Sequence, residues 1–93
     1  MSGYVIVHGH VTDGDKMKEY GAAAGPVVGK FGGEVICRGP SEILSGASDH
    51  NLVVVIKFAD KAAAKKWYDS PEYQALIPTR EQGLDSVFFL GGE

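Results

Sequence analysis

The stretch Trp67–Arg80, WYDSPEYQALIPTR, constrains the chain most. Ser70 offers a hydroxyl to unpaired N–H groups, Pro71 is pre-set for a first helical position, and Glu72 faces the positive end of the helix dipole. Tyr73, Leu76, Ile77 and Arg80 then follow at steps of three and four residues, so they share one helical stripe. An arginine therefore stands where a core residue is expected. A desolvated guanidinium needs a carboxylate, carbonyl oxygens or a bound anion opposite it, and the fold has to supply one of these.

A chain of 93 residues makes one domain, 1–93, and buries only roughly 60–65% of its extended surface on folding, a shortage that a second subunit relieves. Its net charge of -3 offers no general attraction to nucleic acid or to anionic lipid. The single cysteine, Cys37, rules out an intramolecular disulfide framework and a CxxC metal site, so the fold must stand on packing. With no charged-then-apolar leader and no apolar run of membrane-spanning length, the expected location is cytoplasmic.

Tyr4–Thr12 reads as a strand with Val5, Val7, Gly9 and Val11 on one face and Tyr4, Ile6, His8 and His10 on the other. Asp13 caps a helix whose apolar positions Met17, Tyr20, Ala24, Val27 and Phe31 step by three and four residues. Gly25-Pro26 predicts a kink or two short helices, and Gly32-Gly33 stops the segment. A second strand is expected from Glu34 to about Gly39, with pairing resuming at Glu42–Leu44. Leu52–Phe58, LVVVIKF, is the most continuously apolar run and reads as a central strand buried on both faces except at Lys57. Asp60 caps a helix reaching Trp67, the Ser70-Pro71 helix follows with Pro78 loosening its middle, and Ser86–Leu90 closes as a strand before a frayed Gly91-Gly92-Glu93 tail.

The order strand, helix, strand, strand, helix, strand predicts an α+β, ferredoxin-like βαββαβ fold: a four-stranded antiparallel sheet, order 4-1-3-2, with the helices on one face. The other face carries apolar residues and needs a cover, and the simplest is the same face of a second copy in a two-fold homodimer.

On several of these features the chain resembles the domain-of-unknown-function family numbered 1330, in the dimeric α/β barrel group. They are the opening strand leading to Asp13, the Tyr20 helix with Pro26, Gly32-Gly33-Glu34 ahead of Arg38-Gly39, and Ile56-Lys57-Phe58. The strongest is Trp67-Tyr68-Asp69-Ser70-Pro71-Glu72-Tyr73 reaching Arg80. Lys57 departs from the family pattern, which often carries an acid there. The resemblance implies a ferredoxin-like fold and a dimer, and no particular reaction.

The residues give two readings of function. The first is an uncharacterised small dimer that binds a small organic molecule, anionic or aromatic, in a cleft between helices and sheet. Its ligand-binding candidates are Arg80 as a clamp on a carboxylate or phosphate, Tyr73, Trp67 and Tyr20 as walls, and Arg38. The second is a cofactor-free enzyme of the oxygenase or isomerase type found on similar dimeric barrels, with His10 or His50 as base. Topology brings His10, His50 and Arg80 to one end of the molecule. For each group a structural role competes. Arg80 has Asp13, Asp15, Asp69, Asp85 or backbone carbonyls as internal partners, the aromatic stripe packs as core, Ser70 is a cap, and Cys37 is a buried inert thiol. His8 and His10, about 7 Å apart on one strand face, are close enough to share a metal. With no HxxxH pair and no carboxylate at a helper position they are expected to line a semi-polar dimer interior instead. Neither metal nor cofactor is expected.

Overall fold

Three side-chain caps set the helix starts. In the computed structural model, which describes residues 1–92, the Asp13 carboxylate accepts from the backbone N–H groups of Asp15 and Lys16 at 3.0 and 3.2 Å. Asp60 accepts from Ala63 at 2.7 Å, and the Ser70 hydroxyl accepts from Tyr73 at 3.2 Å while donating to the Trp67 carbonyl at 2.7 Å. The element order is β1 (Gly3–Val11), α1 (Gly14–Lys30), β2 (Glu34–Pro40), β3 (Leu52–Phe58), α2 (Lys61–Asp69), α3 (Pro71–Gln74), α4 (Ile77–Gly83) and β4 (Leu84–Gly92).

All strand pairs are antiparallel and the sheet order is β2-β3-β1-β4, the expected α+β arrangement. Val5 and Val7 of β1, Ile56 and Phe58 of β3 and Leu84 of β4 are buried under Tyr20, Ala24 and Val28 of α1, Ala64 and Trp67 of α2, and Tyr73 of α3. Trp67, Tyr73 and Phe58 are the largest fully buried side chains, and their rings stack on one another with Trp67 in the middle. Gly83 ends α4 against the start of α1, where its carbonyl accepts from the N–H of Thr12 at 2.9 Å. A Cβ at Gly83 would lie 2.6 Å from the Met17 nitrogen, so only glycine permits this crossing.

Several boundaries differ from the expectation. Of the two expected outcomes at Pro26, two short helices do not form: α1 runs through as one helix, because the buried Ala24 and Val28 on either side hold it to the sheet although the bond to Ala22 is lost. Pro78 lies in the first turn of α4, where its missing N–H has no partner to lose, so the chain pauses after Gln74 and restarts at Ile77. Tyr73 and Arg80 thus belong to different short helices.

Residues 42–44 form no strand; β2 instead extends to Pro40, opposite Leu52, with an irregularity between Val35 and Cys37. Residues Leu52–Val55 of β3 are half-buried: Val53 and Val55 face the side of the sheet that has no cover in the single chain, and Leu52 and Val54 face the open space under α1. Gly91 and Gly92 pair with Tyr4 and Gly3 and are not frayed, and Glu93 lies outside the described residues. Cys37 is exposed, because it points away from the helices.

The uncovered face is built from Tyr4, Ile6, His8 and His10 of β1, Val53 and Val55 of β3, and Val87 and Phe89 of β4. Phe89 is 55% exposed there and Val87 45%. The segment 41–51 folds over one end of this face, tied down by Ser41 and Asn51 backbone bonds. No helix among the described residues is long and apolar enough to cross a membrane.

Candidate functional site

Between α1 and the sheet lies a cavity of about 510 Å³. The strand register sets its floor: Val7 of β1 pairs with Val54 of β3 on one side and Phe88 of β4 on the other, and all three side chains line the space. Helical spacing sets its roof, with Met17, Tyr20, Ala24 and Val28 recurring along α1, and Trp67 of α2 closes it from the side. Among the described residues the only charged ones in its lining are Lys18 and Arg38, both cationic and both exposed at the rim.

Behind Tyr20 is a polar cluster enclosed by aromatic rings. The Tyr20 and Tyr73 hydroxyls share a hydrogen bond of 2.7 Å. Arg80, only 7% exposed, donates to the Tyr73 hydroxyl at 3.1 Å, to the Tyr68 hydroxyl at 3.3 Å and to the Glu81 carboxylate at 3.0 Å. Its guanidinium carbon also sits 4.5 Å from the centre of the Phe88 ring, the same ring that floors the cavity. Burial works against the charged form of Arg80, but the bonds to Tyr68, Tyr73 and Glu81 outweigh it and raise its pKa, so it stays a cation. Burial, followed by its neighbour Tyr73, pushes the Tyr20 phenol far above its ordinary value; burial raises Tyr73 too, against the opposing pull of its bonds to Tyr20 and Arg80. Both phenols therefore remain protonated at neutral pH. Among the described residues, the buried Trp67 Nε1 and Arg80 Nε have no hydrogen-bond partner.

Of the expected site residues, Tyr20, Trp67 and Arg38 line the cavity, whereas Tyr73 and Arg80 stand behind it and are linked to it through Tyr20 and Phe88. The terminal nitrogens of Arg80 are partnered by two phenols and Glu81, not by Asp13, Asp15, Asp69 or Asp85, and its Nε is left without a partner. The sequence stripe signalled burial but could not identify partners contributed by other helices. His10 and His50 meet each other, but on the face of the sheet opposite the cavity, because His10 is out of phase with Val5 and Val7. No histidine lines the cavity among the described residues. Lys18 was missed by the sequence reading; its signal was its place on α1 one residue beyond Met17.

On the uncovered face, His10 and His50 bring their Nδ1 atoms to 3.0 Å, and Asp85 Oδ2 lies 3.8 Å from His10 Nε2. His8 donates to or accepts from the Ser41 hydroxyl at 3.1 Å, and its ring meets His50 edge-on.

Comparison with known structures agrees with this topology. A protein of unknown function from Rhodopseudomonas palustris is similar over 99% of this chain and 82% of its own, at 19% identity and a TM-score of 0.80. A dimeric ferredoxin-like protein of unknown function from Jannaschia is similar over 96% of this chain and 98% of its own, at 19% identity and a TM-score of 0.67. SnoaB, a cofactor-independent oxygenase from Streptomyces nogalater, is similar over 99% of this chain and 92% of its own, at 11% identity and a TM-score of 0.72. At these identities the likeness is one of fold. A search of curated proteins finds no match. The family model for the domain of unknown function DUF1330 matches residues 2–91, and the chain belongs to that family.

Proposed function

We propose that this protein is a cytoplasmic homodimer that binds a small, largely apolar organic anion in the cavity under α1. The observation that carries the reading is the cavity's composition: an apolar space of about 510 Å³ whose only charged lining residues, among those described, are the cations Lys18 and Arg38. An apolar or aromatic body fits against Val7, Val54, Phe88 and Trp67, and an anionic head meets the cationic rim. Arg80 acts from behind, holding Tyr73 and through it Tyr20 in place. Dimerisation through the bare sheet face is supported by its apolar side chains and by the dimeric state of similar proteins such as that from Jannaschia.

The enzyme reading draws support from the oxygenase activity of SnoaB. In this chain the cavity holds no histidine among the described residues, and Tyr20 stays protonated, so a general base is missing from the lining. The geometry favours binding over turnover.

The test uses 8-anilino-1-naphthalenesulfonate and its neutral relative N-phenyl-1-naphthylamine, with energy transfer from Trp67, the only tryptophan, as the readout. Saturable binding at one site per chain is expected for both, tighter for the anion. Replacing Lys18 and Arg38 by Gln weakens the anion alone, by up to about fivefold for each charge, as expected for exposed ion pairs. Ala24→Leu, which fills the cavity, abolishes both. Absence of saturable binding by the folded protein, or equal effects of the charge removals on the two probes, would sink the reading.

A further inference from the structure

The histidine cluster on the uncovered face lies across the sheet from the cavity and has no part in the proposed binding there. Its three members come from separate parts of the chain. His10 is near the end of β1, Asp85 is its direct partner in the β1–β4 register, and His50 is delivered by the segment between β2 and β3. That segment is anchored where it matters: the Asn51 N–H donates to the Gly9 carbonyl at 3.0 Å and the His50 N–H to the Ser48 hydroxyl at 3.0 Å. Both imidazoles are half-buried and the carboxylate is exposed.

We infer that His10, His50 and Asp85 form a binding site for one divalent transition-metal ion of the zinc type. One donor atom from each residue lies within 4.8 Å of the other two. The 3.0 Å between the two Nδ1 atoms is close to the separation of two donors on one tetrahedral zinc, about 3.3 Å for Zn–N bonds of about 2.0–2.1 Å. Without an ion, that contact requires one ring to carry its proton on Nδ1 and the other to accept it. With an ion, both rings present lone pairs, the donating ring carries its proton on Nε2, and Asp85, exposed and able to rotate, swings from beside His10 Nε2 to close on the ion as third ligand. Two imidazoles and one carboxylate select zinc, copper or nickel over magnesium and calcium, which prefer all-oxygen shells. Three protein ligands leave the fourth position open to water or to a ligand of the ion. The surface depression lined by His10, Asp49 and Asn51 gives access to it.

The experiment titrates zinc into the metal-free full chain by calorimetry, with visible absorption of the cobalt(II) form as a report of geometry. The expected result is one zinc per chain with a dissociation constant of about 10 µM or tighter. Intense cobalt bands in the visible are expected alongside it. His10→Gln, His50→Gln and Asp85→Asn each weaken zinc at least tenfold while keeping the native circular dichroism spectrum, and Cys37→Ser, which removes the exposed thiol, changes nothing. Failure of the wild type to take up zinc at 100 µM on the order expected, or variants that bind as tightly as wild type, overturns the site. Since the cavity is on the other side of the sheet, naphthylamine binding is unchanged by zinc, and the two readings fail separately.

Discussion

Replacing Tyr73 by Phe removes one oxygen atom from a side chain that is fully buried, and that oxygen serves two partners at once. It shares the 2.7 Å bond with Tyr20 and accepts the 3.1 Å bond from Arg80. A neutral hydrogen bond is worth about 1 kcal/mol net and one to a charged group about 1.5–3, so Tyr73→Phe costs about 2.5–4 kcal/mol. Tyr20→Phe loses only the shared neutral bond, about 1 kcal/mol. The double variant loses nothing beyond the Tyr73 set, so it is no less stable than Tyr73→Phe alone, and the two costs fail to add by about 1 kcal/mol. Urea unfolding followed by far-ultraviolet circular dichroism at one fixed protein concentration measures all three. Trp67 fluorescence is the wrong probe, since its ring lies 4.3 Å from that of Tyr73. Equal costs for the two single variants, or strict additivity, would refute the claim that Tyr73 bridges Arg80 to Tyr20.

Gly83→Ala drives a methyl to 2.6 Å from the Met17 nitrogen and is expected to destabilise by about 1–3 kcal/mol, whereas Gly29→Ala, with open space at its Cβ, stabilises by up to about 1 kcal/mol in the same unfolding assay. Phe89→Asp puts a charge on the apolar bare face; the expected sedimentation mass falls from two chains to one with secondary structure intact. At alkaline pH the unfolded chain releases phenol protons near pH 10 while the buried Tyr20 and Tyr73 retain theirs, so the native state binds more protons and stability falls as pH rises. For Tyr20 the slope above pH 10 is about 1.4 kcal/mol per pH unit, and Tyr20→Phe makes the fall shallower by that amount.

The elements legible in the sequence were those written by short-range chemistry. Asp13, Asp60 and Ser70 all cap helices through their own side chains, and Leu52–Phe58 begins and ends where its apolar run does. The period of two in β1 separated Val5 and Val7 from His8 and His10, and with it the whole division between cavity face and bare face. What escaped depended on packing between elements. Pro26 was tolerated because its neighbours are held to the sheet, and Pro78 became a helix start. The expectation from topology that His10, His50 and Arg80 share one end did not say on which side of the sheet each would stand. Parity along β1 held that answer for His10. The partners of Arg80 were not legible, because Tyr68, Tyr73 and Glu81 meet only through the turns joining three short helices.

The pairing of Gly3 with Gly92 brings the two ends of the described chain side by side on neighbouring strands. A short peptide joining them would add little loop-closure entropy, and the chain could then be opened within residues 42–49, which belong to no strand or helix. Such a circular permutant would begin with β3 and end with β2, so those two paired strands would no longer be joined by a local hairpin. It would separate the part of folding that depends on that hairpin from the part that depends on docking α1 over the sheet.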